Sequence, residues 1–183
     1  RSCFIVRDGG ACSCALALTR RLKVCYADAM TFYFAYGSNM HRLAMKRRCP
    51  CVRAVGPAVL NGYRFFVGLD GWGSGSPSAG DTVHGVLWRL TPRDIAALHA
   101  YELLHQGLYD VRYLPVRHGT RCVRAMIYLL RRRATGNPRP GYVEMIAAAA
   151  RSWKLPESYI RSVERWSTSR WTGARIFDAG ELA

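Results

Sequence analysis

The segment Phe32-Tyr33-Phe34-Ala35-Tyr36-Gly37-Ser38-Asn39-Met40 breaks from an aromatic run into Gly, Ser and Asn. Aromatic and branched residues suit a buried strand; Gly, Ser and Asn suit a tight turn or a helix start. A strand that turns straight into a helix presents several backbone N–H groups at one point, which can hold an anion or a carbonyl oxygen. A carboxylate stands out further along. Glu102 falls near the apolar stripe of Ile95, Leu98 and Tyr101, set at three-residue spacing on a helix. A carboxylate there needs a reason, and helix geometry alone favours an edge residue paired with one of many arginines. Tyr109 and Tyr128 read on sequence alone as ordinary core-edge tyrosines.

The elements that position these residues read as follows. A strand over 31–36 leads through the turn into a short helix over 40–48, which Pro50 helps to end. Residues 52–60 and 62–68 read as two short extended pieces joined by a hairpin turn at Asn61-Gly62. Residues 69–80, rich in Gly and Ser, read as a loop; they match neither dinucleotide-binding nor P-loop spacing. A strand over 82–90 follows. Thr91-Pro92-Arg93-Asp94 then starts a helix, with Thr as N-cap, Pro in the first turn and an acid three residues after the cap. Gln106-Gly107 ends it. Strands over 108–116 and 122–130 flank His118-Gly119-Thr120 as a hairpin. Helices over 141–153 and 155–166 close the series, after a basic loop over 131–140.

Composition narrows the classes. A chain of 183 residues, 50% hydrophobic, can bury one good core, so one domain is expected. The net charge of +15 rests on scattered arginines, with Lys only at positions 23, 46 and 154. Such a balance admits an anionic partner, but no RNA- or DNA-binding module signature accompanies it, so no nucleic acid partner is expected. Seven cysteines stand at 3, 12, 14, 25, 49, 51 and 122. Cys12-x-Cys14 and Cys49-x-Cys51 could be half metal sites, but neither has a matching second pair, and no metal is expected. The odd count argues against a disulfide framework, so reduced thiols in a cytoplasmic protein are expected. Residues 1–29 hold four of the cysteines and the apolar run 11–18, too short to span a membrane. That run could be a short signal core, but no small-x-small cleavage site follows it. We expect residues 1–29 to be an extension outside the fold, with Met30 as the natural start, a domain over 30–166 and a tail over 167–183.

Taken together, Phe34-Ala35-Tyr36-Gly37-Ser38-Asn39, Glu102 in Leu98-x-x-Tyr101-Glu102, Tyr109 in Gly107-Leu108-Tyr109, and Tyr128 resemble the signature of the γ-glutamylcyclotransferase family. The likeness runs from about Met30 to Trp166. Leu155-Pro156-Glu157-Ser158-Tyr159 is similar to the longer, classical branch. The resemblance implies a single-domain α+β fold, a compact mixed sheet or small barrel with flanking helices. It implies an intramolecular reaction in which the α-amine of a γ-glutamyl group attacks its own γ-carbonyl, forming 5-oxoproline and releasing the amine. Ring closure supplies its own proximity, so no cofactor is implied. Glu102 is then the general acid/base. Tyr33, Phe34, Ala35, Tyr36, Gly37, Ser38, Asn39, Tyr109 and Tyr128 are then the substrate-binding residues. The implied partner is a small γ-glutamyl amino acid or amine, with no membrane and a monomeric or homodimeric state. Two positions depart from the pattern: Leu103 follows Glu102 where the family often has Gly, and His99 stands where an acid is common. The glutathione-specific branch continues differently after its Tyr-Gly-Ser turn, which disfavours it here.

Overall fold

The computed structural model describes residues 30–102 and 104–167. The expectations for the extension over 1–29, and for the tail beyond Ser167, lie outside the described residues. The chain forms β1 (Thr31–Ala35), α1 (Arg42–Arg48), β2 (Arg53–Val67), β3 (Gly73–Leu90), α2 (Pro92–Tyr101), β4 (Tyr109–His118), β5 (Arg121–Leu130), α3 (Tyr142–Ser152) and α4 (Glu157–Glu164). The strands close into a barrel in the order β1-β3-β2-β4-β5. β1 runs antiparallel to β3, with Tyr33 opposite Trp88, and meets β5 in parallel, with Tyr33 opposite Met126. This is the small mixed barrel with flanking helices that the resemblance implies.

The core follows from the apolar pattern of the strands. Phe34, Val86, Leu87, Met126 and Ile127 are buried, and Trp88 stacks edge-on against Trp153 at 5.4 Å. Burial of side chains of this size contributes about 1.5–3 kcal/mol each. α3 buries Val143, Ile146 and Ala147, and α4 buries Tyr159, Ile160 and Val163. The Trp153 indole N–H donates to the Met40 carbonyl at 2.7 Å, tying the end of α3 to the turn after β1.

Two expectations are corrected. Asn61-Gly62 is not a hairpin turn. β2 runs straight through it as one 15-residue strand, with a register shift between Asn61 and Tyr63 and Gly62 at φ +74°. A left-handed glycine serves a β-bulge as well as a turn, so the local signal did not discriminate. Nor is 69–80 a loop. The chain reverses over Gly68–Trp72, where Gly68 N donates to the Trp72 carbonyl at 2.9 Å, and β3 begins at Gly73. Its first residues pair with Tyr63–Val67. Ser74 is fully buried, its hydroxyl accepting from Leu130 N at 2.9 Å. A Gly/Ser composition here marks close packing rather than looseness.

The helix over 40–48 is also divided. Ser38–Met40 form a 3-10 turn, His41 is extended and caps the next helix by accepting from Ala44 N, and α1 starts at Arg42. The helix start at 91–94 is found as expected. Thr91 Oγ1 accepts from Asp94 N, and the Asp94 carboxylate accepts from Thr91 N at 3.0 Å. α2 ends earlier than expected, at Tyr101, with Glu102 as its C-cap. The hairpin of β4 and β5 pairs from Tyr109↔Leu130 to His118↔Arg121.

Candidate active site

A cavity of about 120 Å³ opens where β1, the turn after it, the end of α2, β4, β5 and the start of α3 converge. Tyr33, Tyr36, Gly37, Ser38, Asn39, Glu102, Tyr109 and Tyr128 line it. The structure thus gathers eight of the ten residues singled out from sequence. Phe34 and Ala35 do not line it. Both are fully buried in the core, Phe34 stacking beside Tyr36 at 6.1 Å. Trp72, Gly73, Tyr101, Leu108 and Tyr142 complete the wall. Tyr101 and Leu108 flank residues already singled out. Trp72 and Tyr142 carry no sequence signal, because each reaches the cavity from an element whose placement is decided elsewhere in the fold.

The turn at 37–40 has the geometry of a donor cluster. Met40 N donates to the Gly37 carbonyl and His41 N to the Ser38 carbonyl. The leading amides of such a turn have no acceptor within it. A Cβ on Gly37 would stand 3.0 Å from the Tyr142 hydroxyl, and one on Gly73 would stand 3.1 Å from it. Both glycines therefore allow Tyr142 to approach, and Gly73 N donates to its oxygen at 3.0 Å.

Glu102 is held at the end of α2 by the turn itself. Asn39 Nδ2 donates to Glu102 Oε1 at 2.7 Å and also to the Tyr33 hydroxyl at 2.8 Å. Burial raises the Glu102 carboxyl to about 6; the Asn39 hydrogen bond and the Arg48 charge oppose that rise. Position adds to the reason: carbonyl dipoles at a helix C-terminus disfavour a negative charge. The edge reading, with Glu102 paired directly to an arginine, is not what forms. Arg48 instead bonds Asn39 Oδ1 at 2.5 Å and the Tyr101 hydroxyl at 2.6 Å.

The tyrosines form an aromatic cage. Tyr33 and Tyr109 meet Tyr128 edge-on at 5.7 and 6.5 Å. The Tyr36 hydroxyl donates to the Tyr128 carbonyl at 2.5 Å. Burial pushes all four phenols well up, so each stays a neutral hydroxyl. The Tyr128 hydroxyl is buried without a hydrogen-bond partner. A buried unpaired hydroxyl costs about 1–3 kcal/mol, which a polar ligand atom would offset. His99 packs edge-on against Tyr128 at 5.9 Å, and burial lowers its pKa. It is a partner of the cage, not an outward helix residue.

No group of three or more His, Cys, Asp or Glu that could hold a metal occurs among the described residues. Cys49 and Cys122 are free thiols, and burial is the main reason Cys49 is pushed up to about 12. Cys51 is disulfide-bonded, which corrects the expectation of reduced thiols throughout. No described helix is long and apolar enough to cross a membrane.

Comparison with known proteins agrees with this architecture. The model of the AIG2-like family matches residues 82–163. Gamma-glutamylcyclotransferase of Mus musculus is 28% identical over 153 residues, covering 77% of this chain and 81% of its own. The Homo sapiens protein of the same name is 26% identical over the same shares. A solved structure named gamma-glutamyl cyclotransferase superposes with a TM-score of 0.73 at 24% identity, covering 80% of this chain and 93% of its own. The fold is thus that of the γ-glutamylcyclotransferases, and the sequence resemblance to that family is found again in curated relatives.

Proposed function

We propose that this protein is a γ-glutamylcyclotransferase that converts a γ-glutamyl amino acid or amine to 5-oxoproline and the free amine, with Glu102 as general acid/base. The observation that carries the reading is the Asn39–Glu102 pair. It joins a carboxylate with a pKa near neutrality to a donor-bearing turn, inside a tyrosine-lined cavity. The turn amides of Gly37, Ser38 and Asn39 suit the substrate α-carboxylate or the developing oxyanion. Glu102, ionised above about pH 6, takes a proton from the α-ammonium. The freed amine nitrogen bonds to the γ-carbon. The bonded nitrogen sheds a second proton as the bond from that carbon to the leaving nitrogen breaks, and the two protons pass in turn through Glu102 to the leaving nitrogen, which departs as an ammonium. Substrate equals product plus amine, with no water or co-reactant consumed. The Tyr128 hydroxyl, unpaired and buried, would orient the substrate.

Relatives that carry the name of this activity support the class of reaction, and the site residues support its mechanism. The proposal includes a small-molecule γ-glutamyl partner, no nucleic acid or membrane partner, and a monomer or homodimer. It also includes a cytoplasmic setting, supported by the two free thiols, although Cys51 is disulfide-bonded. The test is incubation with a panel of γ-glutamyl amino acids and amines, assayed for 5-oxoproline. Turnover is expected in the parent and not in Glu102→Gln. The contrary reading, a non-catalytic binding module on this fold, requires that no compound is turned over; a Gln variant as active as the parent would instead overturn the role of Glu102.

A further inference from the structure

Arg48 is the last residue of α1 and was legible in the sequence only as one of a run of basic residues. Its guanidinium is half-buried between two elements of the site. One nitrogen donates to Asn39 Oδ1 at 2.5 Å, and the other to the Tyr101 hydroxyl at 2.6 Å. Its Cζ stands 3.7 Å over the Tyr101 ring. Tyr101 directly precedes Glu102, and Asn39 donates to Glu102. The side chain therefore bridges the turn at 37–40 and the end of α2, the two parts that must meet for the site to exist.

We propose that Arg48 is a positioning residue that fixes the polarity of the Asn39 side-chain amide, so that Asn39 always offers its N–H to Glu102. A guanidinium carries donors and no acceptor. With Arg48 on one side, only the oxygen of the Asn39 amide can face it, and Nδ2 is left to donate to Glu102 Oε1 and the Tyr33 hydroxyl. The flipped amide would set donor against donor at Arg48 and acceptor against carboxylate at Glu102. The bond from Arg48 is charge-assisted, and the strength of such bonds is about twice that of neutral ones. Without Arg48 the amide could turn over and accept from a protonated Glu102, which would retain the acid and lose the aligned base. A lysine cannot replace this function fully, because one ammonium lacks the planar fork that spans Asn39 and Tyr101.

This inference rests on the reading of Glu102 as acid/base, and the test separates the two. In 5-oxoproline assays Arg48→Met is expected to lower kcat by about 10-fold or more with KM changed less than about 2-fold, the signature of lost alignment. Arg48→Lys, which keeps the charge and stem, falls in between. In an Asn39→Ala background, Arg48→Met should cost less than about a further 2-fold, since its target is already gone. A full, undiminished loss in that background, or an unchanged kcat in the parent background, overturns the proposal.

A second measurement needs no turnover: titration of the Glu102 carboxyl by carbon-13 NMR, assigned with Glu102→Gln. The other titratable groups electrostatically coupled to Glu102 are Tyr33, Tyr36, Tyr109, Tyr128 and Tyr142, all raised by burial and neutral throughout. Arg48→Met should raise the midpoint, and should raise it by less when Asn39 is Ala. An equal rise in both backgrounds means that Arg48 acts by charge alone and overturns the positioning role. If no γ-glutamyl compound is turned over by the parent, the functional reading fails while this titration still decides the role of Arg48.

Discussion

The two ends of α2 each carry an acidic side chain, and the two are treated in opposite ways. At the N-terminal end Asp94 is buried and fully engaged. Its carboxylate accepts from Thr91 N at 3.0 Å, Thr91 Oγ1 at 2.8 Å and Cys51 N at 3.3 Å. The helix dipole favours a negative charge there. At the C-terminal end Glu102 has one hydrogen bond, from Asn39, and the dipole disfavours its charge. A carboxylate met by several N–H and O–H donors holds the fold together. A carboxylate left with one donor in a desolvated cavity stays reactive. One helix thus separates a structural acid from a chemical one by about two turns.

That contrast can be tested by exchanging the roles. The largest expected effect is on turnover. Glu102→Gln should lower the rate of 5-oxoproline release by about 10²–10⁴-fold, while circular dichroism shows the fold retained. A residual rate near that of the parent would remove the chemical half of the contrast. Asp94→Ala should do the reverse. Loss of the cap and of the partner to Cys51 N should cost about 2–3 kcal/mol in urea unfolding, with kcat within about 2-fold at a temperature where the variant is folded. A large fall in kcat at full folding would show that the N-terminal end also serves the chemistry.

The next effect is smaller and concerns stability against pH. Glu102 is raised from 4.5 to about 6 on folding. The folded state therefore binds more protons than the unfolded state between those values, and this group makes stability fall as pH rises through them. The loss above pH 6 is at most about 2 kcal/mol. Glu102→Gln lacks it, so the variant should gain on the parent in urea unfolding between pH 4.5 and pH 7.5. Finally, kcat/KM of the parent should rise with pH to a plateau, with a midpoint near 6. Asn39→Ala, which removes a hydrogen bond that favours the carboxylate, should move that limb upward. A limb that stays in place would mean that the Asn39 bond does not set the base.

The strands β1, β4 and β5 and the start of α2 were legible because their signals are local. Alternation, a Thr-Pro-x-Asp cap and a Gly119 turn each specify structure over a few residues. β2 was misread at its middle and β3 over its first half because Asn-Gly, Gly and Ser carry more than one meaning. Gly62 satisfies a bulge, and Gly73 is small so that Phe65 and Tyr142 can pack against it; a Cβ there would stand 2.7 Å from Phe65. Neither fact is visible without the partner strand.

The sequence by itself determined which residue types the site has to work with: a Gly-Ser-Asn turn after a buried strand, a carboxylate near an apolar helix face, and tyrosines on strands. It did so because capping, alternation and turn chemistry act between near neighbours. The tertiary structure decided that Asn39 grips Glu102 across 63 positions, that Arg48 grips Asn39, and that Tyr142 enters the cavity from a late helix. Those choices depend on how the barrel closes β5 against β1 and docks α2 beside the turn. Desolvation, and with it the carboxyl pKa, is a property of that enclosure, since no single stretch of chain can exclude water from its own carboxylate.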